Sequence, residues 1–103
     1  MSLRTFKRSI KRVVVKLGSR GVVDQDFQVR REALFSLAQQ IRQLSRQNVS
    51  VILVSSGAIA LGMGELGFKR RPADVVSLQA LAAVGQAALM KVYSEIFFAQ
   101  ELK

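Results

Sequence analysis

Cysteine and histidine are both absent from these 103 residues, tryptophan is absent, and there is one proline and one tyrosine. Without cysteine there are no disulfides and no thiol nucleophile, and without either residue the usual zinc sites and imidazole acid–base catalysis are excluded. Any chemistry must therefore run on Lys, Arg, Ser, Asp, Glu and backbone amides. Long uninterrupted apolar runs are also scarce: charge or glycine breaks each stretch well short of the roughly 20 residues that a membrane span needs. The expectation is a protein without membrane contact, placed in the cytoplasm.

Half of the residues are hydrophobic, which is enough to build a core and too many for a disordered tail. The formal charge of +9 at first suggests nucleic acid. Its distribution argues otherwise. Residues 1–16 contain Arg4, Lys7, Arg8, Lys11, Arg12 and Lys16 with no acid, whereas the rest of the chain has a net charge of only +3. The excess forms a leader arm over residues 1–11 and not a basic face, and a block of like charge normally stays solvated. It lacks the apolar centre of a secretory signal. Nucleic-acid or acidic-partner binding through this arm stays as the alternative to catalysis, and a purely interacting segment with an apolar C-terminal helix as a third reading.

The order of elements alternates. Val13 to Leu17 reads as a strand buried on both faces, because it is apolar without alternation. Gly18 to Gln25 reads as a loop, with Asp24 or Asp26 placed to cap the next helix. Phe27, Leu34, Leu37, Ala38, Ile41 and Leu44 form one face at helical spacing; Arg30, Arg31, Glu32, Gln39, Arg42 and Gln43 form the other. Gln47-Asn48 ends that helix, and Val49 to Val54 is a second buried strand. Strand, helix and strand with a short return predict a right-handed parallel unit and an α/β fold.

A short helix is expected over residues 57–67, weakened by Gly62 and Gly64 and stopped at Gly67. Lys69-Arg70-Arg71-Pro72 is an exposed turn, and Asp74 caps an apolar helical region from Val75 to about Leu102, which Gly85 is placed to divide. Its stripe comprises Val75, Leu78, Leu81, Ala82, Leu89, Val92, Tyr93, Ile96 and Phe97. Two parallel strands cannot cover these helices well, so the chain reads as an N-terminal piece of a larger domain.

Function is most legible where each strand runs into a small-residue turn: Val13-Val-Val-Lys-Leu-Gly-Ser19 and Val54-Ser-Ser-Gly-Ala-Ile-Ala-Leu-Gly62. A strand ending in glycine lets backbone N–H groups approach a phosphate, and Lys16 adds a positive charge where open α/β sheets place their ligands. Gly18 and Gly57 serve equally well as simple turn or packing glycines. One of Ser55 and Ser56 is expected to cap the following helix, leaving the other to face the crevice. Neither run has the usual Gly-rich phosphate spacing, and Gly62-x-Gly64-x-x-Gly67 follows a helix and not a strand, which marks it as a chance match.

Together with Leu81-Ala-Ala-Val-Gly-Gln86, these two runs resemble the N-terminal part of the glutamate 5-kinases, a branch of the amino acid kinase family. The resemblance runs from Arg12 to the end of the chain. It implies a three-layer α/β sandwich with a mainly parallel sheet, of which residues 12–103 would be the N-terminal portion. It implies ATP-dependent phosphorylation of the glutamate side-chain carboxylate, with Mg²⁺, by an enzyme that is a homo-oligomer at full length. Residue by residue, Lys16 matches the catalytic lysine on the ATP phosphates, with Gly18 and Ser19 beside it; Ser56 matches the serine that binds glutamate, with Ser55 and Gly57 adjacent. No metal ligand is carried over. Where the family usually continues with small residues after Gly18 and Ser19, this chain has Arg20. The Asp and Asn that complete the glutamate site, and a second ATP-contacting lysine, are expected beyond residue 103.

Overall fold

The computed structural model describes residues 11–100. The elements run β1 (Arg12–Leu17), α1 (Ser19–Val22), α2 (Arg31–Arg46), β2 (Ser50–Ser55), α3 (Ala58–Leu66) and α4 (Val75–Ala99). The leader arm, apart from Lys11, and the expected last turn at Leu102 lie outside the described residues.

Strands β1 and β2 pair in parallel from Arg12↔Ser50 to Leu17↔Ser55, as the strand–helix–strand order requires. Their burial alternates along both strands, however, and this corrects the expectation of strands covered on two faces. Leu17 and Leu53 pack against the core, whereas Val14, Ile52 and Val54 on the other face are 55%, 45% and 47% exposed. Among the described residues only one face of the sheet is covered. Its α/β character is clear, but the layer that would complete a three-layer sandwich is not among these residues.

The core gathers Val22, Leu34, Ala38, Leu61, Leu89, Val92, Tyr93 and Ile96 from three helices and the α1 turn. Helix α2 contributes through the expected stripe, with Leu34, Ala38 and Leu44 buried. It starts later than its pattern suggested. Phe27 is not helical; it sits at φ 59° in a tight hairpin closed by the antiparallel bridge Val23↔Val29. Asp24 does not cap α2. Its Oδ1 accepts the N–H groups of Asp26 and Gln28, at 2.8 and 3.0 Å, and holds the hairpin instead. Arg30 occupies the N-cap position, with no side-chain hydrogen bond there.

Helix α3 has the expected limits, with left-handed glycines at both ends, Gly57 at φ 110° and Gly67 at φ 73°. Neither Ser55 nor Ser56 caps it, because Gly57 is the N-cap residue and makes no side-chain bond. Gly62 and Gly64 do more than weaken the helix. A Cβ on Gly62 would run into the Leu81 carbonyl, and one on Gly64 into the Phe27 carbonyl. Gly85 likewise meets the Ala58 carbonyl, so the backbones of α3 and α4 approach more closely than any larger residue allows. Gly85 does not split α4, which runs unbroken from Val75 to Ala99.

Asp74 caps α4 as expected, its Oδ2 accepting the Ser77 N–H at 2.9 Å. Hydrogen bonding from Ser77, by hydroxyl and backbone, holds the Asp74 carboxyl below its ordinary pKa. Val75 leaves the expected core stripe and is 64% exposed. The 25-residue α4 is long and apolar enough to cross a membrane by length and composition, which the scattered charges and glycines did not suggest. One side of it, with Leu81, Gly85, Leu89, Val92, Tyr93 and Ile96, is buried against the rest of the fold, while Val75, Val76, Met90 and Phe98 are exposed.

Candidate functional site

The parallel register brings the two candidate turns side by side. Leu17 pairs with Ser55, and the Ser56 N–H donates to the Leu17 carbonyl at 2.9 Å, extending the ladder one step past the strands. Lys16, Gly18 and Ser19 therefore lie beside Ser55, Ser56 and Gly57 at the carboxyl ends of both strands. All six predicted site residues lie at this end of the sheet, Lys16 on its uncovered face and Ser55 on its covered one. In an open α/β sheet this end is where ligands bind.

The local chain explains each position. Lys16 is exposed on the uncovered sheet face, in register with Val54, and no described carboxylate forms an ion pair with it. Gly18 is extended, at φ −72° and ψ 167°, and an added Cβ there would meet nothing within 4 Å. Neither conformation nor packing among the described residues demands glycine at that point; open space surrounds it. Gly57 is the opposite case. Its left-handed φ strains any L side chain, and the Val22 side chain, 3.3 Å from an added Cβ, would have to give by a few tenths of an ångström.

The segment after Gly18, expected as loop throughout, forms the four-residue helix α1. The Arg30 guanidinium donates to the Arg20 carbonyl at 3.1 Å and also reaches the Gly21 carbonyl, tying α1 to the start of α2. Arg30, which periodicity places on a solvated face, thus braces the first turn. Its role depends on a fold-back that helical spacing does not encode. Ser19, Arg20, Asp24 and Arg30 line an open groove of about 550 Å³ beside this turn. Another groove, about 500 Å³, lies at the far end of β2 between Asn48, Leu53 and Phe97 and touches none of the candidate residues.

The two serines have different surroundings. Ser55 is half-buried: its Oγ accepts from the Tyr93 hydroxyl at 2.7 Å and donates to the Ser56 carbonyl at 3.0 Å. Ser56 is exposed. Tyr93 was expected only as core, and its ring does stack on Phe97 with centroids 5.6 Å apart. Burial pushes its hydroxyl above the ordinary tyrosine pKa, with the Ser55 contact opposing the shift. The available signal in the sequence was the presence of a hydroxyl-bearing ring on an otherwise apolar stripe, since a buried tyrosine needs a partner.

An ammonium group, two serine hydroxyls and backbone amides at a strand-to-helix crossing are groups that can hold phosphate or carboxylate oxygens. No cluster of three or more carboxylates among the described residues could hold a metal ion.

Residues 11–103 match the amino acid kinase family. The chain is 43% identical over 100 residues to the glutamate 5-kinase of Pelobacter propionicus, covering 97% of this chain and 27% of that protein. It is 44% identical over 94 residues to the glutamate 5-kinase of Nitrosomonas eutropha, covering 91% of this chain and 25% of the relative. Against the glutamate 5-kinase of Ralstonia nicotianae the identity is 45% over 97 residues, covering 94% and 26%. The chain spans about a quarter of the length of the curated relatives it matches. With the family model matching nearly all of its length, and with the two strand-end turns converging as they do, the chain belongs to the amino acid kinase family.

Proposed function

We propose that this segment supplies one half of the active site of a glutamate 5-kinase, which transfers the γ-phosphoryl group of ATP to the side-chain carboxylate of glutamate. A carboxylate oxygen forms the new P–O bond as the bond to ADP breaks, giving glutamyl 5-phosphate. The observation that carries this reading is the convergence of Lys16 and Gly18 with Ser56 and Gly57 across the Leu17↔Ser55 register.

The chemistry follows from the groups present. Phosphoryl transfer asks a protein chiefly for positioning and for charge stabilisation. Lys16, with no described acidic partner, is available to the phosphate oxygens, where an ammonium stabilises charge on the transferring group. The open space at Gly18 allows phosphate to approach the backbone, with the Ser19 hydroxyl alongside. Ser56 would hold glutamate at the second turn, so donor and acceptor meet across adjacent strand ends. Mg²⁺ accompanies ATP in such reactions by neutralising phosphate charge. No group of three or more acidic side chains among the described residues could hold it.

The test is turnover with ATP and glutamate. A polypeptide carrying this segment at the length of its relatives is expected to form glutamyl phosphate, and residues 1–103 alone are not. Lys16→Ala should lower turnover roughly a hundredfold or more while the protein stays folded, because the side chain is exposed and supports no core contact. Near-normal turnover of that variant would overturn the role given to Lys16.

A further inference from the structure

The hydrogen-bond chain from α4 to the second turn is not part of the residue set that the family resemblance carries over. Tyr93 donates to Ser55 Oγ at 2.7 Å, and Ser55 Oγ donates to the Ser56 carbonyl at 3.0 Å. A serine hydroxyl has a single proton. Once Ser55 accepts from Tyr93, that proton is directed elsewhere, and here it goes to the Ser56 carbonyl. On the other side of Ser56, its N–H is bound to the Leu17 carbonyl at 2.9 Å. Both peptide planes flanking the Ser56 Cα are thereby pinned. The direction of its Cα–Cβ bond is set by bonds to β1 and, through Ser55, to α4.

We infer that Tyr93 is a positioning residue for the carboxylate-bearing substrate, acting through Ser55 to fix the orientation of Ser56. This rests on the reading of Ser56 as the glutamate-binding serine. It also changes the part given to Ser55. Its hydroxyl accepts from Tyr93 and gives its one proton to the Ser56 carbonyl, so it orients the turn and has no proton left for a substrate carboxylate. Phe97 stacks on the Tyr93 ring, with centroids 5.6 Å apart.

Steady-state kinetics on the full-length polypeptide separate this role from simple packing. Tyr93→Phe keeps the ring and its stacking and removes only the donor. Loss of one neutral hydrogen bond should raise the glutamate KM roughly three- to tenfold. The ATP KM and the melting temperature should stay close to those of the unsubstituted protein. Ser55→Ala breaks the same chain from its middle, so the double variant should be no worse than the more affected single one. A glutamate KM within twofold of the starting value in both single variants overturns the inference. So does an equal rise in both KM values, which would report general loosening. If Tyr93→Phe sharply lowers the melting temperature, Ser55→Ala decides alone, because it leaves the ring in place. Failure of the unsubstituted polypeptide to phosphorylate glutamate would instead sink the proposed function itself, and a silent Tyr93→Phe in an active enzyme sinks only the positioning role.

Discussion

Three glycines of this chain are held to their identity by different physics, and a fourth is not held by the described structure at all. Gly57 needs a left-handed φ, which costs an L-residue about 1–2 kcal/mol, and Val22 already crowds the place of its Cβ. Gly62 and Gly85 need close backbone contact, because a methyl group there would meet a carbonyl of the opposing helix. Overpacking of this kind typically costs about 1–3 kcal/mol and sometimes more, and a backbone carbonyl cannot rotate away as a side-chain tip can. Gly57→Ala and Gly85→Ala should therefore lower the urea midpoint clearly. Gly18→Ala should leave it unchanged or slightly raised, since its φ suits any residue and the site is open. If Gly18 matters only to phosphate approach, its variant loses ATP affinity while remaining folded; normal ATP kinetics would remove that role. From sequence the four glycines look alike, because a close approach between residues 62 and 81 leaves no local trace.

At the scale of the element, α4 begins with the one side-chain cap among the described helices. Ser77 holds the Asp74 carboxyl below its usual pKa, so the carboxylate contributes stability above the unfolded value of 3.8. That contribution is lost as pH falls through the lower folded value. Asp74→Asn can still accept the Ser77 N–H but does not titrate, so its thermal stability should fall less steeply than the parent's between pH 5 and pH 3, roughly the window around the unfolded value. Asp74→Ala should be less stable than either near neutral pH. Parallel melting curves across that range check both outcomes, and identical pH slopes for the parent and Asp74→Asn would rule out this linkage. The cap was legible because Asp before an apolar helical run is a local signal. The start of α2 was not. Phe27 fits the helical stripe by spacing, yet Asp24 and the Val23↔Val29 bridge draw it into a hairpin, a competition decided by side-chain bonds to the backbone.

Over the whole molecule, one sheet face and parts of α4 are left without apolar partners. Val14, Ile52 and Val54 lie together on the open face, and Val76 and Phe98 are 75% and 83% exposed. The Cα radius of gyration is 15.6 Å, against about 13 Å for a compact domain of 100 residues. Residues 1–103 in isolation should therefore self-associate as concentration rises. Replacing Ile52 and Val54 by Thr should reduce that association with little loss of secondary structure, because neither side chain belongs to the core cluster. Sedimentation velocity over a hundredfold concentration range provides the measurement; a concentration-independent monomer would contradict the expectation. The apolar composition of both strands signalled burial on two sides, and the described residues supply cover for one.

Local order determined much of this protein on its own: two β-branched strands, the amphipathic α2, the limits of α3, the Asp74 cap and the two glycine turns all follow from short-range pattern. Even the arrival of Lys16 and Ser56 at the same end of the sheet was foreseeable, because a strand–helix–strand unit pairs in parallel and brings both carboxyl ends together. Only the tertiary structure decided which serine is engaged and which is free, which glycines carry helix contacts, and that Arg30 and Tyr93 brace the two turns. Those outcomes join residues up to 38 positions apart along the chain. Periodicity shows which face of an element a residue occupies, and the packing of elements determines which atom it meets there.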